Sequence, residues 1–226
     1  MNRYKKYKDS GIAWIGEIPE GWSVRRIKFC VQKTFAGVWG DDAKGDDNDV
    51  RCYRVADFDY EKRTLSNKNP TNRNIDKATF QNREVSCGDI LLEKSGGGDK
   101  TPVGRAVIVN FNTKAICSNF VHCIKPDIDT NSKFLQYIFN YMYSKKINGL
   151  YYSQTTGIQN LNVSEYLNNP YCYPALAEQE VIAEFLDRKC EEIDQLIAIK
   201  REKIEQLKEY KKSVIFEYVT GKKRVN

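Results

Sequence analysis

The C-terminal quarter of the chain constrains its fold most. From Leu176 to Thr220 there is neither glycine nor proline, and apolar residues recur at alternating spacings of four and three. Leu186, Cys190, Ile193, Ile197, Lys200, Ile204, Leu207, Lys211, Val214 and Tyr218 form this seam, a heptad pattern sustained for about five heptads. Thr220-Gly221, followed by basic residues, marks its end. The charges are sorted along the axis. Residues 178–194 carry seven acids and two bases, whereas residues 200–226 carry four acids and nine bases. Such a helix complements its own macrodipole and also a second copy laid antiparallel. Leu186, Ile193, Ile197, Ile204, Leu207 and Val214 are therefore expected to form a dimerisation seam, with the lysines at 200 and 211 setting register or meeting acids on the partner helix.

The rest of the chain is expected to form one globular body, 1–175, followed by the helical segment 176–226. Net charge is +6 over 226 residues. From residue 178 onward acids and bases balance at eleven each, so the excess positive charge lies in 1–177. A basic body points to a polyanionic partner. The seven cysteines include no C-x-x-C pair, and the opening MNRYKKYKDSG is polar. These features predict reduced, mostly buried thiols in the cytoplasm, with no signal or membrane segment.

Residues 1–20 read as an extended lead-in pinned by Trp14 and Trp22, and 22–35 as a strand or short helix. Short runs rich in Val, Ile, Phe, Tyr and Cys predict strands at Arg51–Phe58, Ile90–Leu92, Ala106–Phe111 and Ala115–Ile124. Polar loops are expected at 61–77, 93–105 and 153–160. Residues 132–147 predict a helix with Ser132 as N-cap, 162–168 a helical turn, and Pro170–Pro174 an extended lead into the long helix. The fold class is thus α+β with mixed or antiparallel strands, without the regular alternation of a doubly wound fold.

Three motifs invite a ligand. Five aspartates between 41 and 49 fit no calcium-loop spacing and read as a solvated acidic loop. Lys94-Ser95-Gly96-Gly97-Gly98-Asp99-Lys100-Thr101 looks like a phosphate cradle but does not match the Walker spacing; it reads as a hairpin loop that lets backbone, Lys94 and Lys100 approach DNA. Ser153-Gln154-Thr155-Thr156-Gly157-Ile158-Gln159-Asn160 is dense in amides and hydroxyls: it reads either as an ordinary polar turn or as a loop whose groups meet base edges and phosphates. Arg63, Lys68, Arg73, Lys94, Lys100, Arg105, Gln154, Thr155, Gln159 and Asn160 are accordingly the candidate DNA-binding residues. The single histidine, His122, lies in an apolar run and reads as a hydrogen-bonded core residue. No catalytic constellation, metal cluster or cofactor loop is legible.

Several stretches resemble the specificity subunit of type I restriction–modification systems. The opening YKDSGIAWIGEIPEGWSVRRIKF is similar to that family's N-terminus. Cys87-Gly88-Asp89-Ile90-Leu91-Leu92, with Gly96 to Gly98 and Gly104-Arg105, resembles its GD-I-L-(x)-G-G-x-x-G-R stretch. Thr156-Gly157-Ile158-Gln159-Asn160-Leu161 is similar to the segment before its conserved helix. Pro174-Ala175-Leu176-Ala177-Glu178-Gln179 resembles its P-P-L-x-E-Q motif, with Ala175 in place of the second proline. The resemblance implies a target-recognition domain followed by a spacer helix that pairs antiparallel with another. It also implies a methyltransferase partner, and possibly a restriction subunit, which would carry S-adenosylmethionine, ATP and Mg, leaving this chain non-catalytic. Family members usually hold two such domains and two helices, so this chain resembles a half-length subunit, or half of a full-length one. It would pair as a homodimer on a bipartite DNA site. The rival readings are a nonspecific DNA- or RNA-binding module with a coiled-coil tail, separated by competition with random nucleic acid, and a metal-dependent nuclease, separated by a cleavage assay.

Overall fold

The computed structural model describes residues 3–155 and 157–225. Its compact units are Met1–Val181 and Ile182–Asn226. The body is a mixed α+β assembly. A six-stranded sheet runs in the order Val31–Ala36, Val121–Pro126, Ile90–Glu93, Ala106–Ile108, Thr64–Leu65, Phe58–Asp59. It is antiparallel except where Ile108 pairs with Thr64. A four-stranded sheet orders Ala115–Cys117, Asp49–Tyr53, Asn72–Asn74 and Asp41–Asp42, with 115–117 parallel to 49–53.

Between the two sheets lies the main core, including Phe35, Tyr53, Leu91, Val107, Cys117, Val121 and Cys123. Among the described residues of the body are three α-helices: α1, Lys77–Arg83; α2, Ser132–Ser144; and α3, Val163–Tyr166. The apolar face of α2 buries Phe134, Leu135, Phe139 and Met142, each contributing about 1.5–3 kcal/mol of hydrophobic stabilisation. Its cap is Asn131 rather than the expected Ser132: the Asn131 side chain accepts from Phe134 N at 3.0 Å. The amide lies one residue earlier, where it can reach an otherwise unpaired helix N–H.

Several sequence expectations resolve differently. The run 115–124 is two strands in two sheets, because Ser118-Asn119-Phe120 makes a tight turn closed by Val121 N to Ser118 O at 2.9 Å. Residues 22–35 hold both alternatives, with a strand at Ser23–Arg26, a 3-10 turn at Ile27–Cys30 and the strand from Val31. The segment 153–160 is a hairpin, Tyr152–Thr155 against Ile158–Leu161; Thr156 lies outside the described residues. The lead-in contains its own pair, Tyr7–Asp9 with Glu17–Pro19, and Trp14 and Trp22 pack on Ile12, Ile18 and Cys172.

The acidic loop is internally satisfied. Asp49 accepts from Gly45 N at 2.6 Å and Asn74 Nδ2 at 2.8 Å, and Asp46 accepts from Asn48 N at 2.9 Å. Among the described residues no group of three His, Cys, Asp or Glu is arranged to hold a metal. All seven cysteines are free, with Cys87 exposed and Cys190 half-buried.

Helix α4 spans Leu176–Val219, 44 residues, as the periodicity predicts. Its first turn anchors in the body through the P-x-L-x-E-Q residues. Gln179 is fully buried. It accepts from Asn131 N at 2.9 Å and donates to Pro174 O at 3.0 Å and Asp129 O at 3.3 Å. Glu178 accepts from Tyr4 Oη at 2.6 Å and Trp22 Nε1 at 3.0 Å, so the motif ties the lead-in, the start of α2 and the helix together. In the second unit every residue from 191 to 213 is exposed, including Ile193, Ile197, Ile204 and Leu207, each at least 41% exposed. Leu186 and Val214 are half-buried. No described helix is long and apolar enough to cross a membrane.

Candidate nucleic-acid interface

Two of the three predicted loops come together. Ser95 and Gly96 pair with Asn160 and Gln159, so the glycine loop and the 152–161 hairpin form one three-stranded sheet. Ser95 Oγ donates to Asn160 Oδ1 at 2.8 Å. The loop itself connects antiparallel strands 90–93 and 106–108, the expected hairpin. It is fastened from beneath at Val103, whose N–H donates to Gln159 Oε1 at 3.1 Å and whose carbonyl accepts from Asn148 Nδ2 at 2.7 Å. Gly97 has φ +59, and a Cβ there would stand 2.7 Å from Val103 N, so only glycine fits. Reciprocal Gly98–Thr101 bonds of 3.1 Å close the tip, which exposes Asp99 and Lys100.

Beside this sheet lies a pocket of about 480 Å³ lined by Trp39, Arg54, Glu93, Ser95, Asn119 and Phe120, among others. It adjoins a smaller one of about 330 Å³ that shares Ser95, Asn119 and Phe120 and adds Thr155, Ile158 and Asn160. The two aromatic rings ride on segments bonded to each other: Gly37 N donates to Val121 O and Val38 N to Cys117 O, both at 2.9 Å. The close approach needs Gly37, where a Cβ would stand 2.2 Å from the carbonyl oxygens of Cys117 and Ser118. Phe120 is held further by its carbonyl, which accepts from Lys94 N at 3.0 Å and Ser95 N at 3.2 Å.

The candidate residues separate into two groups. Lys68, Lys100, Gln154, Thr155 and Asn160 are exposed and Lys94 is half-buried. Arg73, Arg105 and Gln159 are instead engaged inside the fold. Arg73 stacks 4.5 Å over the Trp39 ring, donates to Trp39 O at 3.1 Å and Gly40 O at 2.9 Å, and pairs with Asp42. Arg105 donates to Glu93 Oε2 at 2.9 Å and lies 3.7 Å over the Tyr60 ring. Gln159 is 1% exposed. Arg63, at φ +59, turns toward Tyr137 at 5.5 Å, and its carbonyl accepts from Gln136. The loop 61–73 meets the pocket through Asn69, whose carbonyl accepts from Arg54 Nη2 at 3.1 Å.

Charge at the pocket is paired. Arg54 forks onto Asp57, with Nε to Oδ2 at 3.2 Å and Nη2 to Oδ1 at 3.1 Å. Burial pushes the Glu93 carboxyl up, against the lowering by Arg105. His122, on strand 121–126, is half-buried with Nε2 unpartnered rather than hydrogen-bonded as expected there. Burial, with Lys94 and Arg83 nearby, depresses it to about 4, so it is neutral at pH 7. The lining thus offers aromatic faces, amides, hydroxyls and paired charges, the equipment of recognition by stacking and hydrogen bonding. Sequence reasoning missed Trp39, Arg54, Asn119 and Phe120. The signal available was an aromatic set among turn residues, in Gly37-Val38-Trp39-Gly40 and Ser118-Asn119-Phe120.

A mixed α+β body carrying a long C-terminal helix is also the fold of specificity chains from type I restriction–modification systems. A chain in a structure of complex assembly and conformational transition of the type I R-M system superposes with a TM-score of 0.66 at 17% identity, covering 91% of this chain and 47% of that one. The HsdS subunit of Thermoanaerobacter tengcongensis superposes with a TM-score of 0.59 at 16% identity, covering 93% and 47%. This chain therefore spans about half the length of the proteins it matches. Comparison with curated proteins finds none similar in sequence. Residues 46–209 match the type I restriction modification DNA specificity domain, and the chain belongs to that family.

Proposed function

We propose that this chain reads the DNA target of a type I restriction–modification system and positions a methyltransferase subunit, and a restriction subunit where one exists, on a bipartite site. Family membership over residues 46–209 carries the reading. The pairing of the glycine loop with the 152–161 hairpin supports it, because two-stranded ribbons fit the major groove. Lys68, Lys94 and Lys100 serve the phosphates, and Gln154, Thr155 and Asn160 the base edges. Arg73, Arg105 and Gln159 shape the surface that presents them. The chain itself is non-catalytic; S-adenosylmethionine, ATP and Mg belong to partner subunits.

The exposed apolar seam of α4 pairs with a second copy, antiparallel, so that the acidic half meets the basic half. Identical bodies related by a two-fold axis read inverted half-sites. The 44-residue helix, about 66 Å long at about 1.5 Å per residue, sets the unread gap between them. The test is selection of duplexes from a random pool by the full chain with its methyltransferase. A palindromic, gapped motif is expected, with the salt slope falling by about one unit for each phosphate-contacting lysine removed. Equal affinity for random duplex or RNA, or a monomer at micromolar concentration with an asymmetric motif, would overturn the reading.

A further inference from the structure

The 480 Å³ pocket is concave, and a concavity is the wrong shape for an intact duplex. Base edges at the floor of a groove are reached by elements that protrude, such as a ribbon or helix. The neighbouring hairpins supply those elements; from DNA, the pocket is reached by a group that leaves the stack. We propose that it receives a single nucleobase turned out of the duplex. This rests on the DNA-reading assignment above.

Three observations select that occupant. The first is aromatic. Trp39 and Phe120 are 40% and 44% exposed; the segment leading into Trp39 is bonded through Gly37 N and Val38 N to the flanks of the turn that carries Phe120, and the Trp39 ring is backed by the Arg73 guanidinium at 4.5 Å. Large exposed rings lining a void suit stacking: every base presents a π face, and stacking on an aromatic side chain is sequence-tolerant. The second is electrostatic. The charged groups of the lining are already paired, Arg54 with Asp57 and Glu93 with Arg105. Such a lining favours a neutral ring over a phosphate. The third is the polar edge. Asn119 and Ser95 line both pockets, placing an amide, and a hydroxyl oxygen whose proton goes to Asn160, where the hydrogen-bonding edge of a flat ring would lie. A volume of about 480 Å³ falls within the range of about 300–1,000 Å³ typical of pockets for compact organic ligands, with room for the sugar at the open side.

Turning a base out costs least where the pair is already weakened, and this makes the proposal testable with the full chain and a target duplex obtained by the selection described above. Mismatches are introduced one position at a time and binding is followed by fluorescence anisotropy. The expected result is one position at which a mismatch tightens binding several-fold, while mismatches at the contacted pairs weaken it. Trp39→Ala and Phe120→Ala should each weaken the matched duplex by about 5- to 100-fold and abolish the gain at the mismatched position. Trp39→Phe and Phe120→Tyr, which keep a ring, should restore most of both. Thermal melting of each variant separates loss of the pocket from loss of the fold, and the wild-type mismatch scan needs no variant at all. If no position tightens, or if both alanine variants bind like wild type, the pocket holds no base. If the alanine variants keep DNA binding but lose capture of the methyltransferase subunit, the occupant is a protein side chain and the proposal is overturned. If the wild-type chain binds no duplex, the DNA-reading assignment itself falls, and this proposal with it.

Discussion

Replacing Gln159 by methionine distinguishes a base reader from a structural fastener. The side chain is 1% exposed and its Oε1 is the acceptor for Val103 N–H at 3.1 Å. Val103 is itself fully buried, so water cannot replace the lost acceptor while the loop is closed. Methionine keeps the volume but leaves that N–H unpaired, at a cost of about 1–3 kcal/mol. The bond from Gln159 Nε2 to Gln154 Oε1, 3.2 Å at the exposed end of the hairpin, adds little because water can substitute. Taking about 2 kcal/mol as the net effect, opening of the glycine loop becomes about 30-fold more frequent. Native-state hydrogen exchange at the Val103 amide should speed up by that factor, while amides of the central strand 90–93 change only as far as global stability falls. Gln159→Ala should add about 1 kcal/mol for the space it leaves. DNA affinity should drop alike on every target, because the loop that carries Lys100 is loosened. Unchanged Val103 exchange, together with altered preference at a single base pair, would show that Gln159 reads a base and that its burial is lost on binding.

Gln179→Ala removes an acceptor and two donated bonds at a fully buried site; about 3–5 kcal/mol of stability should be lost, seen as a lower urea midpoint at unchanged slope, and a loss under 1 kcal/mol would refute the anchoring role of the motif. His122 is depressed from 6.5 to about 4, so the unfolded chain takes up its proton first. Stability should therefore fall as pH drops through that window, by at most about 3 kcal/mol and less after solvent screening of a half-buried ring. His122→Gln should remove that part of the slope; parallel wild-type and variant curves between pH 4 and 6.5 would contradict the depressed value. Gly37→Ala drives a Cβ to within 2.2 Å of two carbonyl oxygens. It should cost about 1–3 kcal/mol and shift the fluorescence of Trp39, while a variant as stable as wild type with an unchanged spectrum would mean that the 37–39 segment yields freely.

Features that depend on near neighbours along the chain are legible in the amino-acid order. Helix α4 was legible from Leu186 to Tyr218 because its apolar period is a property of residues three and four apart. Its end was legible because Thr220-Gly221 stops a helix locally. The α+β class, the helix from Ser132 and the polar character of 93–105 and 153–160 followed from composition on the same short scale. Where those segments meet depends on contacts between distant stretches of chain. Within 115–124 only Ser118-Asn119 hints at a turn, and the apolar runs on either side mask it; the turn exists because its two flanks belong to different sheets. Ser95 and Asn160 are 65 positions apart, and their pairing is what turns two polar loops into one face. The fates of Arg73, Arg105 and Gln159 were also hidden. A guanidinium or an amide has the same chemistry whether it meets a phosphate, a base or the protein's own Trp39, Glu93 or Val103. Which partner it meets is set by distant chain brought within 3 Å, and periodicity carries no record of that.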